Sequence, residues 1–500
     1  MTHMTQGNIN FNWDEPVSGK YSKDESINTL PADALKRGKY AKFLHYYLVD
    51  NSSQRGYVLN LNAQWGAGKT YFINRWIDSI KDAHPVVYID AWKQDYSDDP
   101  MLTVVSSIID ALEEHLPDGN KKAIALKNKA TRFFKAAAPL LMKGLIKKAT
   151  GMNIDDVEPE TEKKEGSDLY NLTSETSAAL AKCLIDDHNE KLKTVEHLRS
   201  DIKSLIEALD PKKKLKLPAF IFIDELDRCR PSYAVEMLEV IKHFFELENI
   251  VFVVATDTEQ LQHAVKAVYG EGFDAQTYLG RFFRRRYSLS ESSRFEFVKQ
   301  MVGESYEIKS TWKRHTPSIM EGGNLWNLVS IVAGRFNLSL RETEQLADKF
   351  LAILSSEPKS MNPYLLLILF ALRDKYYGLY ECWVKHGDIY AYLEEGVRKA
   401  GLERISLPFH SRDEHHFVAI DSDGTFSIKL LDILNLMHKY CTIKSHGEKM
   451  KIDNDLIEHQ CNSNDADTAS HGLLQRRYLH LEATKKDYVE WVEYAVSFDE

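Results

Sequence analysis

The chain has 500 residues, of which 43% are hydrophobic and 28% are charged, and its formal net charge is −10 at pH 7. This length and this hydrophobic share are enough for two or three domains with buried cores. The negative charge disfavours nucleic-acid binding over the whole surface but leaves a local basic groove open. Five cysteines without a C-x-x-C spacing argue against a zinc site and favour a reducing compartment. Because the polar start of the chain is unlike a secretory signal, we expect a cytoplasmic protein.

A phosphate-binding turn is predicted in residues 57–77, where a buried strand, a glycine-bearing turn and the start of a helix follow one another. In a P-loop the turn amides point at the β-phosphate, a lysine reaches the β- and γ-phosphates, and the next hydroxyl ligates Mg²⁺. The following helix contributes the positive end of its dipole. The pattern departs from G-x-x-x-x-G-K-[ST] only at Ala63, a residue that tolerates positive φ less readily than glycine, and we expect this to cost little. The ligand predicted here is ATP with Mg²⁺, and the binding residues are Gly66, Ala67, Gly68, Lys69, Thr70 and Tyr71.

A second half of the site is predicted where an apolar strand, Phe220–Ile223, runs into two carboxylates. Asp224 is placed to hold Mg²⁺ together with Thr70, since Mg²⁺ prefers oxygen ligands and keeps several waters. Glu225 is placed to orient or deprotonate the attacking water as a general base, while Lys69 contacts the phosphates. A solvated acidic loop is the alternative, and the upstream phosphate-binding turn disfavours it.

A third strand begins at Asn249 and ends in Thr256 and Asp257. In P-loop enzymes a polar residue at the tip of the strand next to the acidic one can sense the γ-phosphate or hold the water. Thr256 is the predicted catalytic residue of this pair, and Asp257 is the second choice. A helix cap at the turn after the strand explains either residue equally well.

Four arginines follow this strand, and the sequence predicts that they project in different directions from one short helix. In oligomeric P-loop ATPases an arginine in this region can reach the γ-phosphate of a neighbouring subunit. The predicted finger is Arg281 or Arg284, and a solvated or acid-paired basic helix is the open alternative. The four residues are Arg281, Arg284, Arg285 and Arg286.

These stretches resemble the KAP family of P-loop NTPases, over roughly residues 14–350. The turn QWGAGKT and the lead-in from Asp14, with a helix in residues 34–48, both match the family pattern. So does VVYIDAWKQDY from Val86, which resembles a strand that ends in the family's aromatic-Asn-Ala-Trp box. In that box Asp90 stands where asparagine is more usual, and Trp92 is kept. The most specific match is DELDRCRP, which adds Asp227, Arg228 and Cys229 to the acidic pair.

The resemblance implies a bacterial ATPase that acts as a switch in anti-phage defence. It also implies that Arg341, in a predicted helical stretch from Arg294 to Leu354, is brought to the phosphates of its own subunit by a helical lid. A surface pair of Arg341 with Gln345 is the alternative.

Family members often carry transmembrane helices between the two phosphate-binding motifs, and this chain departs from that pattern. The longest apolar run between them is Ala136–Met142, whereas a span needs about 20 apolar residues. Residues 121–148 contain nine Lys or Arg and no carboxylate, so a basic amphipathic helix here could lie on anionic lipid or nucleic-acid phosphate. Packing against the acidic tract of residues 155–168 is the favoured alternative.

The last third is predicted to hold a buried helix from Pro363, too short to span a membrane, and a hairpin with its turn at Asp421–Gly424. His410, His415 and His416 lack the spacing of metal ligands, so we predict no metal there. The region is interpreted as a sensing or assembly module.

The sequence therefore predicts an α/β fold, with a P-loop NTPase core built on a parallel sheet. The predicted function is an ATP-hydrolysing switch that forms homo-oligomers and responds to a protein trigger or effector. A nucleic-acid-stimulated motor and a membrane-surface scaffold with little turnover are the two alternatives. The predicted domains are the core in residues 1–107 and 217–290, a helical insertion in 108–216, the lid in 291–358 and an α-rich module in 359–500.

Overall fold

A computed structural model describes residues 9–17, 29–52, 56–96, 100–113, 199–200, 202–204, 215–244, 247–289, 294–302, 325–357, 359–385, 390–408, 425–435 and 483–496. The predicted basic helix of residues 121–148, the acidic tract, the turn at 421–424 and the three histidines lie outside these ranges. Among the described residues, no helix combines the length and the apolar character that crossing a membrane requires. The chain divides into two compact units, residues 1–64 with 69–290 and residues 65–68 with 291–500.

The first unit is an α/β structure. Its strands are β1 (Tyr57–Asn62), β2 (Val86–Asp90), β3 (Ala219–Asp224), β4 (Ile250–Thr256) and β5 (Arg285–Ser288). Its helices are α1 (Gly38–Ser52), α2 (Lys69–Ile80), α3 (Ala91–Gln94), α4 (Pro100–Glu113), α5 (Pro231–Phe244), α6 (Thr258–Tyr269) and α7 (Ala275–Leu279).

The five strands form one sheet in the order β2-β3-β4-β1-β5, and each neighbouring pair is parallel. The predicted parallel sheet is therefore confirmed. Every residue of β3 and β4 is buried, which explains why both strands read as continuous apolar runs. Because all five strands run the same way, the ends of β1, β3 and β4 meet at one edge of the sheet, where ligands bind in such folds.

The arginine-rich segment after β4 is a strand where the sequence predicted a helix. Helix α7 ends at Leu279, the Arg284 N–H donates to the Val58 carbonyl at 3.0 Å, and Arg285 and Arg286 lie within β5. The prediction that all four arginines project from one helix is wrong. As the last strand in the sheet order, β5 keeps its charged side chains exposed and lacks the apolar alternation that identifies a strand.

The second unit is mainly helical. Its helices are α8 (Arg294–Val302), α9 (Leu325–Arg335), α10 (Leu340–Ser356), α11 (Pro363–Lys375), α12 (Tyr377–Lys385), α13 (Tyr390–Lys399) and α14 (Lys485–Val496), and its strands are β6 (Arg404–Pro408) and β7 (Thr425–Lys429). One cluster of buried side chains extends from Val298 to Ala495. Helix α11 is buried from Pro363 to Leu372, as its uniformly apolar sequence predicts. Strand β7 follows the predicted turn, but its partner is β6, to which it is antiparallel.

The start of α10 explains why glycine is needed at position 66, which belongs to this unit. Ser339 and Glu342 form a reciprocal capping box, and the Arg341 N–H donates to the Gly66 carbonyl at 3.2 Å. A Cβ atom on Gly66 would lie 2.7 Å from Ser339 Oγ. The backbone of Gly66 also has a φ of 76°, which side chains rarely adopt, so both space and conformation select glycine.

Candidate nucleotide-binding site

The turn after β1 has the backbone of a phosphate-binding loop. Gly66 and Gly68 have φ values of 76° and 82°, and α2 begins directly after them at Lys69. Ala63 is not among the described residues with positive φ, so the missing first glycine causes no strain there. The Ala63 N–H donates to the Thr256 carbonyl at 3.2 Å and so joins the end of β1 to the end of β4.

Lys69, the first residue of α2, lies directly after this turn and has only 7% of its surface exposed. Its ammonium donates to the carbonyls of Ala63 at 2.8 Å and Gln64 at 3.3 Å, and Asp227 Oδ2 lies 4.0 Å away. A buried ammonium needs such partners, because desolvation penalises an isolated charge. These contacts hold the cation beside the loop, where phosphate oxygens would meet it.

Asp224 is the most buried carboxylate of the site, at 0% exposure. The Tyr88 hydroxyl donates to its Oδ2 at 3.3 Å, and the Glu225 N–H donates to its Oδ1 at 2.9 Å. Burial raises the pKa of Asp224 to about 7, and a hydrogen bond with Thr70 acts in the opposite direction. A divalent cation would favour the charged form of such a carboxylate. The hydroxyl of Thr70 and the carboxylate of Asp224 therefore fit Mg²⁺, with phosphate and water oxygens completing its ligands.

Glu225 adopts a left-handed backbone conformation, with φ 59° and ψ 26°, at the start of the short 3₁₀ helix Leu226–Arg228. Its Oε1 accepts a hydrogen bond from the Thr70 hydroxyl at 3.5 Å, and its Oε2 pairs with Arg228 Nε at 2.5 Å. Burial raises the pKa of Glu225, and Arg228 lowers it. A non-glycine residue in this conformation costs about 1 kcal/mol or more and is found where the surroundings hold it, often at functional sites.

Arg228 is not among the site residues that the sequence predicts, although in the structure it forms an ion pair with Glu225, the candidate general base. Its guanidinium also lies over the ring of Trp92, 5.5 Å from the centroid, and Trp92 is 53% exposed. Arg228 thus joins Glu225 to the box that follows β2. An acidic and a basic residue three positions apart on one helical turn is a signal that could have identified this pair.

A second set of contacts joins the segment after β2 to the segment after β3. The backbone N–H and the Nε of Arg230 donate to the carboxylate of Asp95 at 2.8 and 2.9 Å. Asp90, at the end of β2, caps α3 by accepting a hydrogen bond from the Lys93 N–H at 3.0 Å. The family-specific stretches after β2 and β3 are therefore in direct contact.

Asp227 is another site residue that the sequence alone did not assign to a role. It is buried, and its Oδ2 accepts a hydrogen bond from the Asp257 N–H at 3.0 Å. The same oxygen is the one closest to Lys69. Asp227 therefore connects the ends of β3 and β4 beside Lys69.

The two polar residues at the end of β4 have structural partners. Thr256 is fully buried, and its Oγ1 accepts a hydrogen bond from Asn60 Nδ2 at 2.8 Å. Asp257 accepts hydrogen bonds from the Glu259 and Gln260 N–H groups and is the N-cap of α6. The helix-cap interpretation of Asp257 is confirmed, whereas γ-phosphate sensing by Thr256 stays a prediction.

The two predicted finger arginines make no described contact with Lys69 of their own subunit. Arg284 lies over the ring of Tyr57, 5.1 Å from the centroid, at the start of β1. Lys69 follows the opposite end of that strand. Arg281 is exposed in the turn after α7. A finger that acts on a neighbouring subunit stays a prediction for both residues.

The remaining predicted binding residues are Tyr71 and Arg341. The Tyr71 hydroxyl donates to the Pro31 carbonyl at 2.9 Å, and burial raises its pKa. This contact joins the first turn of α2 to the lead-in segment. Arg341 is exposed in the first turn of α10, in the second unit, and its predicted contact with phosphate stays a prediction.

Comparison with known proteins identifies the family. Solved structures similar to the chain include the ORC2 protein of Aeropyrum pernix in ADPNP and ADP complexes (10% identity, 78% of this chain and 88% of that chain, TM-score 0.32) and Cdc6p of Pyrobaculum aerophilum (10%, 82% and 94%, 0.35). A Walker-type ATPase of Pyrococcus abyssi is also similar (11%, 88% and 95%, 0.26). A search of curated proteins found no match. The model of the KAP family P-loop domain matches residues 37–356, and because this match covers more than half of the chain, the protein belongs to the KAP family of P-loop NTPases.

Proposed function

We propose that the protein binds and hydrolyses ATP with Mg²⁺ and that hydrolysis operates a switch. The observation that carries the proposal is the position of Glu225, which contacts the Thr70 hydroxyl on one side and Arg228 on the other. A general base must be within hydrogen-bond reach of the water that it activates, directly or through one water. Glu225 meets this requirement because it lies beside the residue expected to hold Mg²⁺.

In this mechanism the turn amides and Lys69 bind the β- and γ-phosphates. Thr70 and Asp224 would hold Mg²⁺, and the ion would supply positive charge against the charge that develops on the phosphate oxygens. Glu225 orients the water and takes its proton as the water oxygen bonds to the γ-phosphorus and the bond from that phosphorus to the bridging oxygen breaks, which gives ADP and inorganic phosphate. Release of the γ-phosphate removes one partner of Lys69, and once ADP also leaves, the ammonium can return to the loop carbonyls that it contacts here.

The pairing of Glu225 with Arg228 supports a switch over a constitutive hydrolase. An oxygen that already accepts a hydrogen bond from an arginine is less available as a base. A movement of the segment after β2, which carries Trp92, would move Arg228 and so change how far the Glu225 carboxylate is available to accept a proton. We propose that a protein trigger acts through such a change, in the anti-phage role that membership of the family implies.

We also propose that nucleotide binding promotes a homo-oligomer whose site is completed by Arg281 or Arg284 of a neighbour. The positions of the two arginines support a role in a neighbouring subunit. Arg281 is exposed, and Arg284 packs at the end of β1 opposite to Lys69 of its own subunit. Mass in solution should rise when ATP and Mg²⁺ are added. Mixing Arg281→Ala with Lys69→Ala should restore part of the turnover, because one interface can then contain an intact lysine and an intact arginine. The same mixture with Arg284→Ala tests the other candidate.

Failure to bind ATP in isothermal titration would overturn the whole proposal. An unchanged mass, together with normal hydrolysis by both arginine variants, would remove only the oligomer. Turnover stimulated by DNA would favour the motor. Liposome pelleting that depends on residues 121–148, with little turnover, would favour the membrane-surface scaffold. Parallel titrations with ATP and GTP would settle the choice of nucleotide.

A further inference from the structure

A basic and aromatic surface is formed where helix α1 meets the strand β5, within the first unit. On α1, Lys39, Phe43 and Tyr47 recur every four residues and so lie on one face of the helix. Arg284 directly precedes β5, and Arg285 is the first residue of that strand. We call these five residues the α1–β5 surface.

The aromatic part of this surface is a flat stacked pair. The rings of Phe43 and Tyr47 lie 6.2 Å apart with an interplanar angle of 19°, and Phe43 is 62% exposed. The Tyr47 hydroxyl lies 2.9 Å from the Tyr57 hydroxyl, and this hydrogen bond holds the Tyr47 ring in place. A single exposed phenylalanine is ordinary, but one stacked on a fixed second ring offers a preformed platform for another ring.

The cationic side chains of this surface lie against tyrosine residues of α1 and β1. The guanidinium of Arg284 lies over the ring of Tyr57 at 5.1 Å, and Lys39 Nζ lies over the ring of Tyr40 at 4.9 Å. Arg285 forms a side-chain hydrogen bond with Tyr47, and this bond raises its pKa. Arginine on an aromatic face keeps its outer N–H donors directed at solvent, where they can bind phosphate in a forked geometry.

These features select the class of ligand. Single-stranded nucleic acid supplies both unpaired base faces for the ring platform and phosphates for the cations, the combination typical of single-strand binding surfaces. A duplex hides its base faces and would use only the cations. If the arginines served only to keep β5 from pairing with another strand edge, no exposed ring stack would be needed.

We propose that the α1–β5 surface binds single-stranded nucleic acid, with a base stacked on Phe43 and phosphates on Lys39, Arg284 and Arg285. The local positive charge contrasts with the net charge of −10 of the whole chain and would confine binding to this surface. The proposal does not rest on ATP hydrolysis. It can therefore be tested without nucleotide, and its failure would leave the proposed ATPase switch intact.

The test uses the full chain and fluorescence anisotropy with a labelled oligo-dT and, in parallel, an oligo-U and a duplex. Phe43→Ala should weaken oligo-dT binding about tenfold, and Phe43→Trp should retain it, because stacking on the exposed ring is lost in the first and kept in the second. The double variant Lys39→Ala, Arg285→Ala should also lower the slope of log K against log salt by about 1.4, since each lost phosphate contact with a single strand removes about 0.7. Comparison of oligo-dT with oligo-U shows which nucleic acid is preferred.

The matched control is Lys486→Ala with Tyr494→Ala on α14, which removes a lysine whose side chain is 84% exposed and a tyrosine that is 59% exposed. It should bind oligo-dT like the wild type. Thermal melts of all variants establish that they are folded. The inference is overturned if the wild type does not bind oligo-dT at low salt, if the control loses as much affinity, or if duplex binding depends equally on Phe43. It is also overturned if the variants change the mass of the protein in solution and leave oligonucleotide affinity unchanged, which would identify an interface between protein copies.

Discussion

The strands β3 and β4 are both buried along their whole length and both end in a pair of polar residues, yet the two pairs make different contacts. At the end of β3, Asp224 and Glu225 contact the Thr70 hydroxyl at the start of α2. At the end of β4, Thr256 contacts Asn60 and Asp257 contacts the first turn of α6. A polar pair at the end of a buried strand is thus insufficient evidence for catalysis.

The difference arises in the backbone that follows each strand. Glu225 turns into a left-handed conformation and begins a three-residue 3₁₀ helix, which directs its carboxylate towards α2. Asp257 keeps an extended conformation, with φ −83° and ψ 103°, and caps a helix of 12 residues. Helix α6 starts directly after β4, so its first N–H groups need the side chain of Asp257 as a cap. The tight turn after β3 makes no such demand on Glu225, whose side chain contacts Thr70.

The largest expected effect comes from Lys69→Ala. This change removes the ammonium that faces the loop carbonyls and Asp227, and with it the fixed cation that would meet the β- and γ-phosphates. ATP binding should be abolished in isothermal titration. Lys81→Ala is the control, because Lys81 follows α2 and pairs with Asp78 at the surface, so its loss should leave ATP affinity unchanged. Wild-type affinity of Lys69→Ala would contradict the assignment of the site.

The second prediction concerns the base itself. Glu225→Gln keeps the shape of the side chain but cannot accept a proton, so kcat should fall by about 10² or more while ATP remains bound. The variant Asp257→Asn, at the end of the other strand, should keep kcat near the wild-type value. Single-turnover hydrolysis measures both. Equal losses in the two variants would show that the ends of β3 and β4 share the chemistry.

Much of this architecture could be predicted from the sequence, because the features concerned are local. A buried parallel strand reads as an apolar run, and a phosphate loop needs glycine, lysine and a hydroxyl in fixed order. The sequence accordingly predicts β1, β3, β4 and the start of α2, and the structure contains all four. The structure also confirms that the ends of these strands meet at one edge.

The remaining features depend on contacts between distant segments. Strand β5 carries arginines at positions that pair with β1, and only that pairing makes it a strand. The side chain of Arg228 reaches both Glu225 and Trp92, which are separated in sequence by more than a hundred residues. Glu225 and Asp257 each directly follow a buried apolar strand, and their different partners follow from the turn that each strand enters.

The third prediction tests whether Arg228 restrains the base. In Arg228→Ala, Oε2 of Glu225 would lose its ion pair with the guanidinium, and with it the interaction that lowers the pKa of the Glu225 carboxylate. We expect basal kcat to rise by about two- to fivefold, the size expected for a partly exposed ion pair. Steady-state turnover at saturating ATP measures the change, and Arg228→Lys should give a smaller increase. A fall in kcat would show that Arg228 assists the reaction.

The smallest expected effect is a loss of stability without a loss of chemistry, in Asp257→Ala. Asp257 Oδ1 accepts hydrogen bonds from the N–H groups of Glu259 at 3.1 Å and Gln260 at 3.5 Å, so its removal leaves two amides at the start of α6 without their cap. Loss of an N-cap costs about 1 kcal/mol, whereas Asp257→Ser should retain most of the stability because serine also caps helices. Hydrogen exchange at those two amides should become faster in the alanine variant, with kcat near the wild-type value. If kcat instead fell more than tenfold while exchange at α6 was unchanged, Asp257 would act in the reaction, and the contrast between the ends of β3 and β4 would not hold.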